Sequence, residues 1–459
     1  MISDLGIVIS DKRVPVSINN ALARKITRKD TPFGVFFSES NLTTYESTDF
    51  LLAYSGRLWQ HSSQRNSRNR VSNVAGLIVQ RYRASGIRMF DSLEGLSLIL
   101  YDRKKELVYL WRGWIGTTSM LYCHGPKNFV GATSKKLFRR LAVEASHPRS
   151  IPAGCCLKFD CHTQTYAVEH IQEVPMVRSR AGLSSTCGRL RKLVQEAVSS
   201  RICEGKTALL LSGGADSTIL GYVLREAGAT IEAYTVSLES PQFPVKDSEF
   251  DLFGARKAAQ WLGVKLHEVR LRPIDVIKSV KEAVWASETA RTTLVDEMCG
   301  MIYLARRMRA NSVNVAYSGE GADSIFGSFL HILRFIPKRG LSSYLHNSVQ
   351  RSLPESLSVI QRVFHERGNV ETVFPYMYRP LVSYSLGLPI DYRVDKLRVM
   401  KIAFRRAFAG LIPEEFLWRA KGITRDTTHL RYVLEREFGT SRYRYNEIHK
   451  RLFCDSHLP

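Results

Sequence analysis

The sequence predicts an α/β protein in two parts: short antiparallel strands first, then a parallel sheet with a helical C-terminal part. Three observations carry this. Residues 1–175 alternate apolar and polar side chains over short runs joined by polar turns, the period-2 pattern of half-buried strands. Around residues 176–200 the period lengthens to that of a helix. After that, residues 206–211, 218–227 and 231–238 read as strand, helix and strand, an order that implies a parallel sheet.

The clearest N-terminal element is Leu96-Ser97-Leu98-Ile99-Leu100-Tyr101, a charged turn from Asp102 to Glu106, then Leu107-Val108-Tyr109-Leu110-Trp111. Two apolar runs around a short charged turn make a hairpin. Cys155, Cys156, Cys161 and His162 could be drawn as a metal cluster, but the alternation around Leu157 and Phe159 favours a plain strand. Arg178, Arg180, Arg189, Arg191 and Lys192 interleave with Leu190, Leu193 and Val194 at helical spacing, which places a boundary near residue 180. The expected domains are 1–180 and 181–459. From about residue 271 the chain reads as mainly helical, with one more strand at 313–317 and no internal repeat.

Of 459 residues, 44% are apolar and 24% charged, which excludes wholesale disorder and a collagen-like fibre. No apolar run nears the ~18 residues of a membrane helix; Ala208-Leu209-Leu210-Leu211 stops after four. Met1-Ile2-Ser3-Asp4 has no basic start leading into an apolar core, so a cytoplasmic location without a membrane partner is expected. Eight cysteines without C-x-x-C spacing are expected to be free thiols. The net charge of +23 attracts phosphates, acidic peptides and nucleic acid alike. It is spread as +12 over residues 1–180 and +11 over 181–459, and does not choose among them.

The most informative stretch is Leu210-Leu211-Ser212-Gly213-Gly214-Ala215-Asp216-Ser217, directly after a buried strand and before a helix. Adjacent glycines let backbone amides approach an anion, the helix N-terminus adds positive potential, and Ser212 and Ser217 add hydroxyl donors. Such a bend is a polyphosphate cradle; the competing reading is an ordinary strand-to-helix turn. It is no Walker loop, because Gly205-Lys206-Thr207 precedes the strand and Ser200 stands where that motif's first glycine belongs.

Residues 212–217 resemble the SGGxDS loop of ATP pyrophosphatases. Ser318-Gly319-Glu320-Gly321-Ala322-Asp323-Ser324-Ile325-Phe326-Gly327 is similar to the SGEGxDE-type loop of asparagine synthetases. Trp418-Arg419-Ala420-Lys421, preceded by Leu411-Ile412-Pro413-Glu414-Glu415, resembles that family's late lysine segment. The three motifs stand in the family's order over roughly residues 181–430. The resemblance implies ATP and Mg²⁺ as cofactors and cleavage of ATP to AMP and pyrophosphate. It also implies roles. Leu210, Val236, Ser318 and Gly319 would wall and hydrogen-bond the adenine; Ser212, Gly213, Gly214, Asp216, Ser217 and Gly321 would hold the nucleotide. Asp216 and Asp323 would ligate the metal, Lys421 would stabilise charge at phosphorus and at the acyl oxyanion, and Glu320 would orient or deprotonate the amine. Competing readings make Asp216 and Asp323 helix N-caps, Glu320 half of a structural ion pair and Lys421 a surface lysine.

Residues 53–122 resemble, more weakly, the glutaminase domain of glutamine-dependent members, through Tyr54-Ser55-Gly56-Arg57-Leu58-Trp59 and Leu93-Glu94-Gly95. That resemblance implies two sheets between helices, an αββα sandwich. Its chemistry is expected to have lapsed: Ile2 stands where the family exposes a cysteine nucleophile, Ser55 and Arg57 replace an Asn and a Glu, and Asn73 replaces an Asp. β-Lactam synthetases and lasso-peptide cyclases resemble asparagine synthetase with such a domain. The expectation is therefore an ATP-dependent amide (macrolactam) synthetase acting on a peptide or amino acid, with a precursor peptide and a leader-processing partner in the lasso case. Glu320 keeps the asparagine-synthetase residue and favours the alternative, an ammonia-dependent ligase. Ser324 and Tyr378 depart from the family's Glu and Asp. A third reading, an RNA-binding protein of the same fold, rests on the charge; nucleic acid is the disfavoured partner, because tRNA-modifying relatives usually lack such a first domain.

Overall fold

The computed structural model describes residues 5–10, 27–31, 34–38, 44–59, 73–125, 128–140, 148–239, 251–328, 340–394, 400–419 and 429–453. The chain divides into two compact units, Met1–Glu173 and Val174–Pro459. Ile2, Lys421 and Cys454 lie outside the described residues.

The first unit holds twelve described strands: β1 (Leu5–Ser10), β2 (Thr27–Thr31), β3 (Gly34–Ser38), β4 (Thr44–Glu46), β5 (Phe50–Trp59), β6 (Glu94–Asp102), β7 (Leu107–Arg112), β8 (Leu121–His124), β9 (Asn128–Ala132), β10 (Arg149–Ser150), β11 (Cys155–Asp160) and β12 (Thr165–His170). They form two six-stranded sheets, ordered β10-β8-β9-β1-β3-β2 and β12-β11-β7-β6-β5-β4. The period of two decides what each residue packs against. Ile7 and Ile9 of β1 join Leu51, Ile99, Leu110 and Leu157 of the other sheet in one core. Val8 faces the opposite way, toward Leu137 and Phe138 of helix α2 (Lys135–Arg140). Leu98 and Leu100 likewise turn outward onto Ile78, Val79 and Tyr82 of helix α1 (Val74–Ser85). The layers therefore run helix, sheet, sheet, helix. The expected hairpin is β6–β7, with Leu98 opposite Trp111 and Asp102 opposite Leu107. Cys155 belongs to the core between the sheets and Cys156 to the core under α1, so the alternation of the strand parts these two cysteines. Asn73 caps α1, its Oδ1 accepting from the Gly76 N–H at 2.7 Å.

The second unit is built on five strands, β13 (Thr207–Leu210), β14 (Ile231–Leu238), β15 (Leu266–Leu271), β16 (Val315–Tyr317) and β17 (Glu371–Val373). Every pairing is parallel, in the order β15-β14-β13-β16-β17. The chain moves outward from β13 to β14 and β15, then resumes on its other side with β16 and β17. The carboxyl ends of β13 and β16 therefore flank a topological switch point, where open parallel sheets form their binding crevice. Around the sheet lie α3 (Leu183–Ser199), α4 (Ala215–Glu226), α5 (Asp251–Leu262), α6 (Pro273–Ser287), α7 (Thr292–Ala310), α8 (Ala322–Phe326), α9 (Leu341–Asn347), α10 (Leu353–Gly368), α11 (Arg379–Leu386), α12 (Ile402–Arg406) and α13 (Glu414–Leu417). Two further helices follow, Leu430–Phe438 and Asn446–Phe453. The stripe Leu190, Leu193, Val194 and Ala197 is the buried face of α3. The edge strands β15 and β17 escaped the sequence reading. Only Leu271 is fully buried in the charged run of β15, and β17 has three residues. Among the described residues no helix is long and apolar enough to cross a membrane.

Candidate functional site

The bend after β13 is held by its own side chains. The Ser212 N–H donates to Ser217 Oγ (3.2 Å), the Gly214 N–H to Ser212 Oγ (3.4 Å), and Ser217 Oγ–H to the Gly214 carbonyl (3.3 Å). Gly213 has φ +74°, and a Cβ there would lie 2.0 Å from the carbonyl carbon of Gly254 in α5. Only glycine permits that turn against that backbone. Gly254 in turn admits the Arg419 guanidinium, whose Nη1 donates to the Ser212 carbonyl at 2.9 Å. Arg419 belongs to the late motif, so the described end of that motif reaches the phosphate bend.

The 318–327 segment begins at the carboxyl end of β16. The Glu320 N–H donates to Ser318 Oγ (3.2 Å), and Gly321 takes φ +93° to start α8. A Cβ on Gly319 would lie 3.4 Å from the backbone and Cβ of Asp216, so the two loops touch. Leu210 ends β13, Val236 is buried in the neighbouring β14 against Gly300 of α7, and Ser318 and Gly319 follow β16. These four stand on or beside three adjacent strands. The departures are also placed: Ser324 Oγ lies 3.4 Å from Ser348 Oγ, and the Arg201 guanidinium covers the Tyr378 ring at 5.0 Å.

Asp216 and Asp323 are each the second residue of their helix, after Gly214 and Gly321, so neither is an N-cap. Both first-turn carboxylates face one ammonium. Lys401 Nζ lies 2.6 Å from both oxygens of Asp216 and 2.5 Å from Oδ1 of Asp323. Lys401 is buried, and its backbone is left-handed with φ +59°, a conformation costing an L-residue about 1–2 kcal/mol. Nothing in the family motifs pointed to it. A signal existed: a lone lysine inside Val399-Met400-Lys401-Ile402-Ala403-Phe404 has to be buried, and a buried ammonium needs a carboxylate.

An aromatic cluster fixes this triad. Phe326 and Phe404 stack at 4.0 Å, and Tyr376 meets both edge-on at 6.0 and 5.6 Å. Phe326 is three residues after Asp323 in α8, and Phe404 three after Lys401 in α12. The Tyr376 hydroxyl donates to the Asp216 carbonyl at 2.8 Å. One packed cluster therefore orients all three charges. Burial, and then the charge of Asp216, pushes the Tyr376 hydroxyl far above its ordinary pKa, so it remains a donor.

A second buried cation stands beside the triad. Arg405 is 6% exposed, its guanidinium 5.6 Å from the Trp418 ring centroid, and among the described residues its Nε has no hydrogen-bond partner. Burial lowers its pKa, while the carboxylates of Asp216 and Asp323 act the other way. Two carboxylates converging on one cation are hard, anionic oxygen donors, and this donor set fits Mg²⁺.

A parallel sheet with a glycine bend at its switch point and a facing acidic loop defines a class of nucleotide-using domain. The asparagine synthase family model matches residues 189–357 and 335–451, together more than half of the chain. The chain belongs to the asparagine synthase family. It is 26% identical over 378 residues to the glutamine-hydrolysing asparagine synthetase of Gallus gallus, covering 75% of this chain and 66% of that protein. The mouse enzyme is 28% identical over 407 residues (81% and 71%), and asparagine synthetase B of Escherichia coli strain K12 is 22% identical over 394 (81% and 69%). The chain thus spans about two thirds of the length of these relatives.

Proposed function

We propose that this chain is an ATP-dependent carbon–nitrogen ligase that forms AMP and pyrophosphate. In this reading it adenylates a carboxylate and closes an amide with an amine of the same substrate, as a lasso-type peptide cyclase does. The observation that carries it is the convergence of Asp216 and Asp323 beside the 212–217 bend. A carboxylate oxygen attacks the α phosphorus and pyrophosphate leaves; the amine then attacks the acyl carbon and AMP leaves. Mg²⁺, held by Asp216 and Asp323, would offset the negative charge of the phosphates. Residues 212–217 supply amide and hydroxyl donors to the same oxygens, and Glu320, half-buried on the facing loop, takes the proton of the attacking amine. Lys421 is assigned to the developing charge at phosphorus and carbon.

Ring closure rests on the glutaminase-like reading of the first unit. Ser55 is fully buried in β5, the Arg57 guanidinium packs 5.5 Å from the Trp59 ring, and Asn73 serves as a helix cap. Side chains engaged in packing and capping are poor ligands for a glutamine, which supports an amine supplied by the substrate itself. Glu320 favours the second reading, in which the amine is free ammonia. Mass spectrometry of linear peptides carrying a free amine and a side-chain carboxylate, incubated with enzyme and Mg-ATP, separates the two. Loss of one water is expected for cyclisation; a gain of one amide nitrogen with added ammonium supports the alternative. Lys421→Ala is expected to abolish turnover while leaving nucleotide binding largely intact, and unchanged turnover would remove its role.

A further inference from the structure

We propose that Lys401 is an internal stand-in cation. It holds Asp216 and Asp323 together before metal arrives, and gives the two carboxylates up when a divalent metal binds. The inference deepens the reading of Asp216 and Asp323 as metal ligands. The ammonium sits where a bridging cation would sit, at 2.6 and 2.5 Å from the two carboxylates. Charge makes its presence necessary. Asp216, Asp323, Lys401 and Arg405 carry two negative and two positive charges, and Lys401 and Arg405 are almost fully buried. Without a cation between them, two like charges brought this close would repel each other.

Structure also makes its departure workable. Lys401 is the residue preceding α12, and the Arg405 N–H donates to its carbonyl at 2.9 Å. Phe404 is locked in the aromatic stack, which fixes the backbone at this point, so release of the carboxylates falls to the rotatable four-carbon stem of Lys401. With a divalent ion on both carboxylates, the buried Lys401 and Arg405 would carry two positive charges no longer offset by Asp216 and Asp323. Lys401 is thus a positioning residue and a competitor of the metal, and these roles make opposite predictions for two substitutions.

The test is a metal-binding isotherm with Mn²⁺ on EDTA-stripped protein without nucleotide, comparing wild type with Lys401→Met and Lys401→Arg. Lys401→Met removes the competitor, so Mn²⁺ should bind at least tenfold more tightly. Its melting temperature in EDTA should fall and be regained on adding metal. Lys401→Arg clamps carboxylates in two-pronged fashion and should weaken Mn²⁺ binding. Unchanged or weaker binding by Lys401→Met overturns the proposal, because a merely structural lysine predicts that loss. If Lys401→Met does not fold, Lys401→Arg decides alone: weaker binding supports the stand-in, unchanged or tighter binding overturns it. Since no ATP is present, a failure here leaves the ligase reading intact. A failure of the ligase reading likewise leaves this result standing.

Discussion

At the scale of single residues, the site depends on positions where the chain accepts an unfavourable conformation or an expensive charge. Gly213 is the clearest. An alanine there would meet the Gly254 backbone at 2.0 Å in a left-handed turn, so Gly213→Ala should cost roughly 2–4 kcal/mol and abolish ATP binding. Thermal denaturation and nucleotide binding measure the two effects, and a native-like variant that binds ATP would contradict the cradle. The bend was legible in the sequence because its residues are consecutive and their types state the chemistry. Lys401 was legible only in part: its apolar neighbours mark a buried ammonium, but nothing local names Asp216, 185 positions away, as its partner.

At the scale of elements, short helices bring distant charges together and one aromatic cluster sets their orientation. Phe404→Ala should cost about 3–5 kcal/mol by opening a cavity beneath Lys401. Tyr376→Phe keeps the packing and removes only the hydroxyl that holds the Asp216 carbonyl, so it should cost about 1 kcal/mol. If Tyr376→Phe lowers the melting temperature as much as Phe404→Ala, the assignment of orientation to packing is wrong. The strands β6, β7, β13, β14 and β16 were readable because apolar alternation or an apolar run marks a buried strand. Strands β15 and β17 were hidden by their charge and brevity, since the edge of a sheet does not demand apolar residues.

At the scale of the whole molecule, each unit buries thiols in its core and the sequence carries a large positive excess. Burial raises Cys161 and Cys299 to about 12. Because the thiolate is the reactive form, these two should resist a thiol reagent at about pH 8 in the native protein and react only on unfolding. Fast reaction of either would contradict the core assigned to it. The charge of +23 should speed capture of an acidic peptide, so turnover should fall between about 0.05 and 0.2 M salt, where screening shortens to ~10 Å. An unchanged rate would deny the surface that role. The central claim, that ATP is cut between its α and β phosphates to activate a carboxylate, is tested most directly with a peptide whose carboxylate carries ¹⁸O. Label recovered in AMP, alongside pyrophosphate, is the predicted result; ADP with labelled inorganic phosphate would contradict it.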